Sequence, residues 1–376
     1  MIPFNRPPAS PELAARLAEV ASSGHHSGDG PMTRRAADLL AKYYPDAATI
    51  LLTTSCTHAL ELSALTLDIR PGDEVIVPAF TFVSTANAFA LRGARIRFAE
   101  ILPDTLCVDP ASVDALVTDR TRVIVPVHYA GVACELLRIT AIASRVGAIV
   151  VEDNAHGLFA GVDGRPLGTF GSMSTLSFHE TKNISAGEGG ALVINDPALV
   201  PAAEIAREKG TNRSQFFRGM VDKYTWVGLG SSWLPSEFTA AVLVAALENA
   251  EVTQAARQRI WSTYHSCLSD WATTEGVRLP VVPPNCEQPA HIFYLLMPDL
   301  DARTRLIAHL ADQRVQAVFH YVPLDTSPYG TELRGDDPDC PISRDVSERL
   351  VRLPLYPDLA AASVEHIVES IRAFRC

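Results

Sequence analysis

Short apolar runs alternate with helical stretches from about residue 48 to residue 195. The apolar runs have the length of strands, and they lie at 48–53, 74–78, 95–99, 122–127, 148–152, 173–178 and 190–194. Helix-like periodicity fills several of the intervals, at 57–67, 83–92 and 135–146. Apolar strands separated by helices are typical of βαβ units. The pattern therefore predicts an α/β fold in which helices flank a mainly parallel sheet.

The pattern changes after residue 195. A polar segment at 207–226 is rich in basic and aromatic residues, and a helical stretch with a polar middle follows at about 236–268. After a Pro-rich connection, residues 290–376 have the pattern of a smaller α+β unit. We predict a large domain of residues 1–245 and a small C-terminal domain of residues 246–376.

Composition narrows the class of protein. The 376 residues are 47% hydrophobic and carry a net charge of -11, which argues against a nucleic-acid partner. The seven cysteines are scattered without metal-ligand spacing, so we expect no metal site and a reducing compartment. No apolar run is long enough to cross a bilayer. We expect a soluble, cytoplasmic protein with no membrane partner.

Lys182 stands out because the chain has only four lysines beside 28 arginines. A chain that prefers arginine for surface charge has little need of lysine for solubility. A primary amine condenses with an aldehyde to form an imine, which a guanidinium does not do. Scarcity alone leaves two interpretations open, an ordinary loop lysine and a reactive amine.

Small hydroxyl residues follow the first predicted strand. Ser55, Cys56 and Thr57 lie where that strand gives way to a helix. Such residues cap the helix, and its free N–H groups together with the helix dipole can hold an anion such as a phosphate. A plain N-cap without a ligand is the alternative interpretation of the same pattern.

Two other strand ends carry groups that suit an aromatic ligand. Asp153 ends the apolar strand 148–152 and can hold a heterocyclic N–H⁺, and His156 lies three residues further on. Phe82 follows strand 74–78 and offers a flat face for a ring, although an aromatic residue there also suits the core. With Lys182 and the anion site, these residues describe a site for pyridoxal 5'-phosphate (PLP).

The motifs together resemble the DegT/DnrJ/EryC1/StrS sugar aminotransferases, which are fold-type I PLP enzymes. The matching segments are 71–78 with Thr81 and Phe82, 151–153, 168–171, 177–179 with Lys182 and Asn183, and 187–190. The resemblance implies that Lys182 forms the Schiff base with PLP and later acts as the base. It implies that Asp153 holds the ring nitrogen protonated and that Phe82 stacks on the ring. Ser177 and the backbone of Cys56 and Thr57 would hold the phosphate.

Within this family the chain is most similar to the transaminases that make dTDP-4-amino-4,6-dideoxygalactose. The shared segments are 2–5, 28–30, 82–89, 121–134, 207–219 and 319–321. The resemblance implies transfer of an amino group from L-glutamate to C4 of dTDP-4-dehydro-6-deoxy-D-glucose. It leaves open the pathway, which is either enterobacterial common antigen or a natural-product aminosugar. The stereochemistry at C4, galacto or gluco, is open as well.

The chain departs from the family pattern at two places. His156 stands where a Gln usually contacts the 3′ oxygen of the cofactor, and its charge state would add a pH dependence. Ser232 and Leu234 stand where many members have an Asn and an Arg, and the Asn of those members reaches the phosphate of the neighbouring subunit. Ser232 is therefore a weaker candidate for the cofactor than Lys182 or Asp153.

The nucleotide-sugar substrate is expected to meet the basic and aromatic segment. Its candidate ligands are Arg213 and Tyr224, because local positive charge suits a diphosphate and an aromatic ring suits a base. A solvated loop that only packs at a subunit boundary is the alternative. His320 and Tyr321 are candidates for the sugar pocket, and the resemblance implies a homodimer or larger homo-oligomer with shared active sites.

Three other functions remain to be weighed. A related sugar 3-dehydratase keeps the cofactor but has His in place of the Schiff-base lysine, so Lys182 argues against it. A regulator on the same fold would need no intact set of Lys182, Asp153 and Ser177. An aminotransferase for another nucleotide ketosugar, aminated at C3 or linked to UDP, stays open.

Overall fold

The architecture comes from a computed structural model that describes residues 1–8 and 10–376. The elements of the first half are α1 (Leu13–Ser23), α2 (Pro31–Ala41), β1 (Thr49–Thr53), α3 (Cys56–Thr66), β2 (Glu74–Pro78), α4 (Val83–Ala90), β3 (Arg95–Ala99), α5 (Pro110–Leu116), β4 (Thr121–Ile124), α6 (Leu136–Val146), β5 (Ile149–Asp153), β6 (Gly161–Val162), β7 (Arg165–Pro166), β8 (Met173–Ser177) and β9 (Gly190–Ile194).

The elements of the second half are mostly helical. They are α7 (Val200–Arg207), α8 (Arg213–Phe217), α9 (Glu237–Glu248), α10 (Ala250–Glu275), β10 (Cys286–Glu287), β11 (Tyr294–Leu296), α11 (Leu300–Asp312), α12 (Pro328–Arg334), α13 (Pro341–Arg349), β12 (Leu350–Arg352) and α14 (Ala361–Ala373). Short 3-10 turns cover Tyr129–Gly131, Pro197–Leu199 and Leu324–Thr326.

The central sheet has seven strands in the order β1-β9-β8-β5-β4-β2-β3. The pairs from β8 through β5, β4 and β2 to β3 are parallel, and only β9 runs antiparallel to its neighbours β1 and β8. The predicted mainly parallel α/β sheet is confirmed. Its crossing connections place helices on both faces, which explains why β2 and β9 are buried along their whole length.

Alternate strand residues feed separate hydrophobic cores on the two faces of the sheet. In β9, Leu192 packs with α3 and α4, whereas Val193 packs with α1, α2 and α9. Side chains of successive strand residues point to opposite faces, so a continuous apolar run contributes apolar side chains to both cores. The sheet is therefore a rigid platform between two helical layers, and its carboxyl edge can position a site.

The C-terminal part has its own core around α10. The antiparallel pair β11 and β12 packs with α10, α11 and α14. The helical stretch predicted at 236–268 is two helices, because α9 ends at Glu248 and α10 begins at Ala250. The predicted domain boundary after residue 245 lies inside α9, and the two-domain division remains a proposal. Within the described residues, no helix has the length and apolarity to cross a membrane.

Candidate active site

A cavity of about 580 Å³ opens at the carboxyl ends of the parallel strands. It brings together ten of the residues predicted from sequence, namely Ser55, Cys56, Thr57, Phe82, Asp153, His156, Ser177, Lys182, His320 and Tyr321. The other three, Arg213, Tyr224 and Ser232, do not line it. Ligands of open α/β sheets bind at this edge, so the cavity is the candidate active site.

One end of the cavity is formed by the N-terminus of α3. Ser55 caps the helix, since its Oγ accepts a hydrogen bond from the N–H of His58 at 3.1 Å. Thr57 presents a hydroxyl 2.7 Å from that of Ser84. The first N–H groups of a helix have no partner within the helix, and its dipole adds positive potential there. This end is suited to a phosphate group.

A close backbone approach holds the anion end in place. A Cβ on Gly190, the first residue of β9, would collide with the N atom of Cys56 and the carbonyl oxygen of Ser55. Any other residue at this position would push the beginning of α3 away from the strand. The glycine therefore allows the helix N-terminus to sit directly against the sheet.

Asp153 lies at the end of β5 with its carboxylate at the floor of the cavity. Its Oδ2 accepts a hydrogen bond from Thr85 Oγ1 at 2.7 Å, and its Oδ1 accepts one from the N–H of Ala155 at 3.2 Å. Burial raises the pKa of Asp153, and these hydrogen bonds oppose that shift. In the part of the chain that is described, no cation lies within ion-pair distance of it. A protonated ring nitrogen would supply the missing partner.

Lys182 lies in the loop between β8 and β9. Burial in the cavity lowers its pKa to about 8. The charge of Arg352 acts in the same direction, whereas Cys56 and Asp153 oppose the shift. A lysine with a pKa near 8 has an appreciable neutral fraction at neutral pH, which is what a nucleophilic amine needs.

The next residue anchors this loop. Asn183 Nδ2 donates to the carbonyl oxygen of Pro289 at 2.7 Å and to Gln254 Oε1 at 3.2 Å. Its Oδ1 therefore faces His291 Nδ1, 2.8 Å away, and accepts a hydrogen bond from the N–H of that ring. The amide ties the Lys182 loop to α10 and to the segment that leads into β11.

His156 is held neutral with a defined tautomer. Burial lowers its pKa well below the usual value, and the charge of Lys182 adds to that effect. Its Nδ1 accepts a hydrogen bond from the N–H of Ala130 at 3.3 Å. The ring proton is therefore on Nε2, which can donate to a ligand oxygen. Because the lowered pKa favours the neutral ring, we predict no pH dependence from His156 near neutral pH, and a measurement of the pH profile tests this against the expectation from sequence.

The wall opposite the sheet comes from the C-terminal part of the chain. His320 and Tyr321 lie here, and the ring centroids of Phe82 and Tyr321 are 6.2 Å apart. His291 and Arg352 also line the cavity, and sequence reasoning did not find them. Neither follows a predicted strand of the sheet, so no pattern marked them. Thr85 was missed too, although its place one turn after Thr81 at the start of α4 was a usable signal.

The predicted substrate ligands lie on an exposed segment outside the cavity. Arg213 lies 3.8 Å from Glu208, with its guanidinium over the ring of Phe217. Tyr224 packs against Phe216 at 5.8 Å between ring centroids. Ser232 is exposed as well. Within one chain these residues do not line the cavity that contains Lys182.

Comparisons with known proteins agree with this site. A model of the DegT/DnrJ/EryC1/StrS aminotransferase family matches residues 9–372. A pleiotropic regulatory protein of Geobacillus stearothermophilus is 30% identical over 366 residues, covering 97% of this chain and 94% of that protein. The aminotransferase TlmJ from Streptoalloteichus hindustanus superposes with a TM-score of 0.88 at 28% identity, over 99% of this chain and 98% of the other. The sugar aminotransferase CalS13 from Micromonospora echinospora superposes with a TM-score of 0.87 at 26% identity, over 99% of this chain and 100% of the other.

The family match extends over nearly the whole chain, and the cavity contains the amine, the carboxylate and the anion end that PLP requires. The predictions of the family, of the fold type and of PLP as cofactor are therefore confirmed. The chain belongs to the DegT/DnrJ/EryC1/StrS aminotransferase family and is a PLP-dependent transaminase.

Proposed function

We propose that this enzyme transfers the amino group of L-glutamate to C4 of dTDP-4-dehydro-6-deoxy-D-glucose. The products would be 2-oxoglutarate and dTDP-4-amino-4,6-dideoxy-D-galactose or its gluco epimer. The observation that carries the proposal is that His320 and Tyr321 lie in the same cavity as Lys182. They belong to the segment by which the chain resembles the 4-aminotransferases, and the hydroxyl of Tyr321 is a polar group where a sugar would meet the amine.

The cofactor would be held by three groups of residues. The N-terminus of α3 and Ser177 would bind the phosphate, Asp153 would pair with the ring nitrogen, and Phe82 would cover one face of the ring. His156 would donate from Nε2 to the ring's 3′ oxygen. When bound, PLP supplies an aldehyde for imine formation and a ring that accepts the electrons left when Cα loses its proton.

Lys182 has two chemical roles in the proposed reaction. Its amine would hold the cofactor by condensing with the aldehyde, until the donor displaces it. Once displaced, the amine would move a proton from Cα of the donor to the cofactor, and in the second half of the reaction from the cofactor to C4 of the sugar. A pKa of about 8 suits both directions of proton transfer near neutral pH, since an effective base has a pKa close to the working pH.

We propose further that the enzyme is a homodimer in which the 207–229 segment covers the partner's cavity. This segment exposes large apolar side chains, including Trp226 with 76% of its surface accessible. The others are Phe217, Met220, Tyr224, Val227 and Leu229. Several large exposed apolar side chains in one segment of a protein surface are typical of a protein–protein interface. Arg213, Tyr224 and Ser232 would then act in the partner's site.

Subunit mixing tests the shared site. Lys182→Ala and Arg213→Ala are purified separately and then mixed under conditions that allow exchange. A hybrid dimer would have one site with both native residues, so statistical mixing restores about a quarter of the wild-type rate. Light scattering on the wild type gives the mass independently. A monomer, or an inactive mixture of two inactive parents, would rule out sharing.

The substrate proposal is tested with a panel of dTDP- and UDP-ketosugars. Holoenzyme and glutamate are incubated with each sugar, and the product is identified by NMR. The proposal requires amination at C4 of the dTDP sugar. If the product is aminated at C3, or if only a UDP sugar reacts, the proposed substrate is wrong but the enzyme is still an aminotransferase. The regulatory alternative returns if no sugar reacts with any amino donor.

The reaction is proposed to take place in the cytoplasm. All seven cysteines are free thiols, and four of them are exposed or half-buried. Thiols in such positions persist in a reducing compartment.

A further inference from the structure

Arg352 is a cation of the cavity that the functions above do not use. It is the last residue of β12. Its backbone N–H donates a hydrogen bond to the carbonyl oxygen of Val318 at 2.7 Å, which fixes the backbone on one side. Its guanidinium lies over the ring of Phe4 at 4.8 Å and lines the same cavity as Lys182. The side chain is therefore held in place by both the strand and the aromatic ring.

This guanidinium has no carboxylate partner. No Asp or Glu in the described part of the chain lies within 4.0 Å of it, and its Nε makes no hydrogen bond there. Burial disfavours the charged form of Arg352 and so lowers its pKa. Moving a charged group out of water without an opposite charge nearby is unfavourable in free energy. An anionic ligand bound to Arg352 would offset this unfavourable term.

His320 orients Arg352 without neutralising it. Arg352 Nη1 lies 3.3 Å from His320 Nε2, and arginine can only donate, so Nε2 accepts. The ring is neutral because burial lowers the pKa of His320 well below the usual value. Its proton is then on Nδ1, 3.0 Å from the hydroxyl of Tyr129. The positive charge of Arg352 is thus left for a ligand.

The position of the charge decides which anion fits. The phosphate of the cofactor already has the N-terminus of α3. The diphosphate of a nucleotide sugar is separated from C4 by the sugar ring, whereas the carboxylate of an amino acid is one bond from its reacting carbon. Arg352 lines the same cavity as Lys182, where that carbon must lie. A carboxylate and a guanidinium form paired hydrogen bonds of matching geometry.

We infer that Arg352 binds a carboxylate group of the amino donor and so selects amino acids as donors. The inference rests on the proposed function, in which glutamate is the donor. His320 is a positioning residue in this arrangement, since it acts through the guanidinium. The nucleotide sugar, which occupies the cavity after the donor has left, would not depend on this charge.

The test compares Arg352→Gln with Arg352→Lys, and with Arg372→Gln as a control at an exposed position of α14. Glutamate is added to each holoenzyme, and the loss of visible absorbance reports the donor half of the reaction. We expect Arg352→Gln to raise the half-saturating glutamate concentration about 10- to 100-fold, the range for a lost charge-assisted hydrogen bond. The half-saturating glutamate concentration of Arg352→Lys should lie between those of the wild type and Arg352→Gln, because an ammonium keeps the charge but cannot form the paired hydrogen bonds of a planar guanidinium. Unchanged glutamate saturation in Arg352→Gln would overturn the inference.

Two further measurements separate donor binding from other effects. Succinate, which cannot react, should bind Arg352→Gln holoenzyme at least about tenfold more weakly than the wild type. The half-saturating concentration of dTDP-4-dehydro-6-deoxy-D-glucose for the cofactor's amine form should stay close to the wild-type value, because a change in the pKa of Lys182 alters the rate of proton transfer and not sugar binding. A rise in this concentration equal to the rise for glutamate would overturn the inference. If no ketosugar reacts with the wild type, the proposed function fails, while glutamate and succinate still test Arg352.

Donors that keep a single carboxylate show which group is bound. Alanine keeps the carboxylate beside the amine, and 4-aminobutyrate keeps the distant one. The effect of Arg352→Gln should disappear for the donor that lacks the bound group, and an equal effect on both would contradict the inference. If the variant does not fold, wild-type holoenzyme must still bind succinate at least about tenfold more tightly than succinamide. Equal binding would refute the carboxylate site.

Discussion

Lys182 should capture PLP at neutral pH, and the pH dependence of capture reports the pKa of its amine. Burial lowers that pKa from 10.5 to about 8. Only the neutral amine attacks an aldehyde, so the capture rate follows the neutral fraction. At pH 7.5 about a quarter of such amines are neutral, against about 0.1% for a lysine of ordinary pKa. The cavity therefore makes Lys182 roughly 200-fold more available than a surface lysine.

The assay mixes cofactor-free protein with PLP and follows the visible absorbance in a stopped-flow instrument. Below about pH 8 the rate should rise nearly tenfold per pH unit, and above it the rate should level off. Free Nα-acetyl-lysine provides the control, and its rate should keep rising to about pH 10. In Arg352→Gln the plateau should move to higher pH, because one of the charges that lowers the pKa is removed. A wild-type rate that climbs without a plateau through pH 10 would refute the reasoning.

Three other substitutions test separate parts of the site. Asp153→Asn should retain bound PLP but lose at least about 100-fold in turnover, since the charge facing the ring nitrogen is gone; a rate above a tenth of wild type would contradict its role. Gly190→Ala should weaken PLP binding about tenfold or more in an equilibrium titration, because the new Cβ displaces Ser55 and Cys56; unchanged affinity would show that the close approach is dispensable. His156→Gln should keep turnover within about threefold with an unaltered pH profile between pH 6 and 8, since the native ring is neutral there; a new pH dependence in the variant would show that His156 titrates.

The sheet was predictable because its strands are buried on both faces. The predicted strands at 74–78, 95–99 and 190–194 have the observed bounds. The strand predicted at 122–127 is regular only from Thr121 to Ile124, and beyond it Val127 still forms an isolated parallel bridge with Asp153. The break between α9 and α10 at Asn249 was missed, since helical periodicity continues across it.

Without the family resemblance, which added His320 and Tyr321, the site was predictable only where chemistry coincides with a strand end. Lys182 and Asp153 are unusual residues at such positions, and the structure places both in one cavity. Arg352 and His291 reach that cavity through packing of the C-terminal part against the sheet, which no local pattern encodes. The neutral state of His156 was equally out of reach, because it depends on burial and on the N–H of Ala130.

The most direct test of the account is to identify the lysine that holds the cofactor. Holoenzyme is reduced with borohydride, digested and mapped by mass spectrometry, which is decisive in a chain with only four lysines. The account predicts that the reduced phosphopyridoxyl group is on Lys182 alone and disappears when glutamate is added before reduction. A label on Lys42, Lys209 or Lys223 instead, or a label on Lys182 that glutamate leaves unchanged, would contradict it.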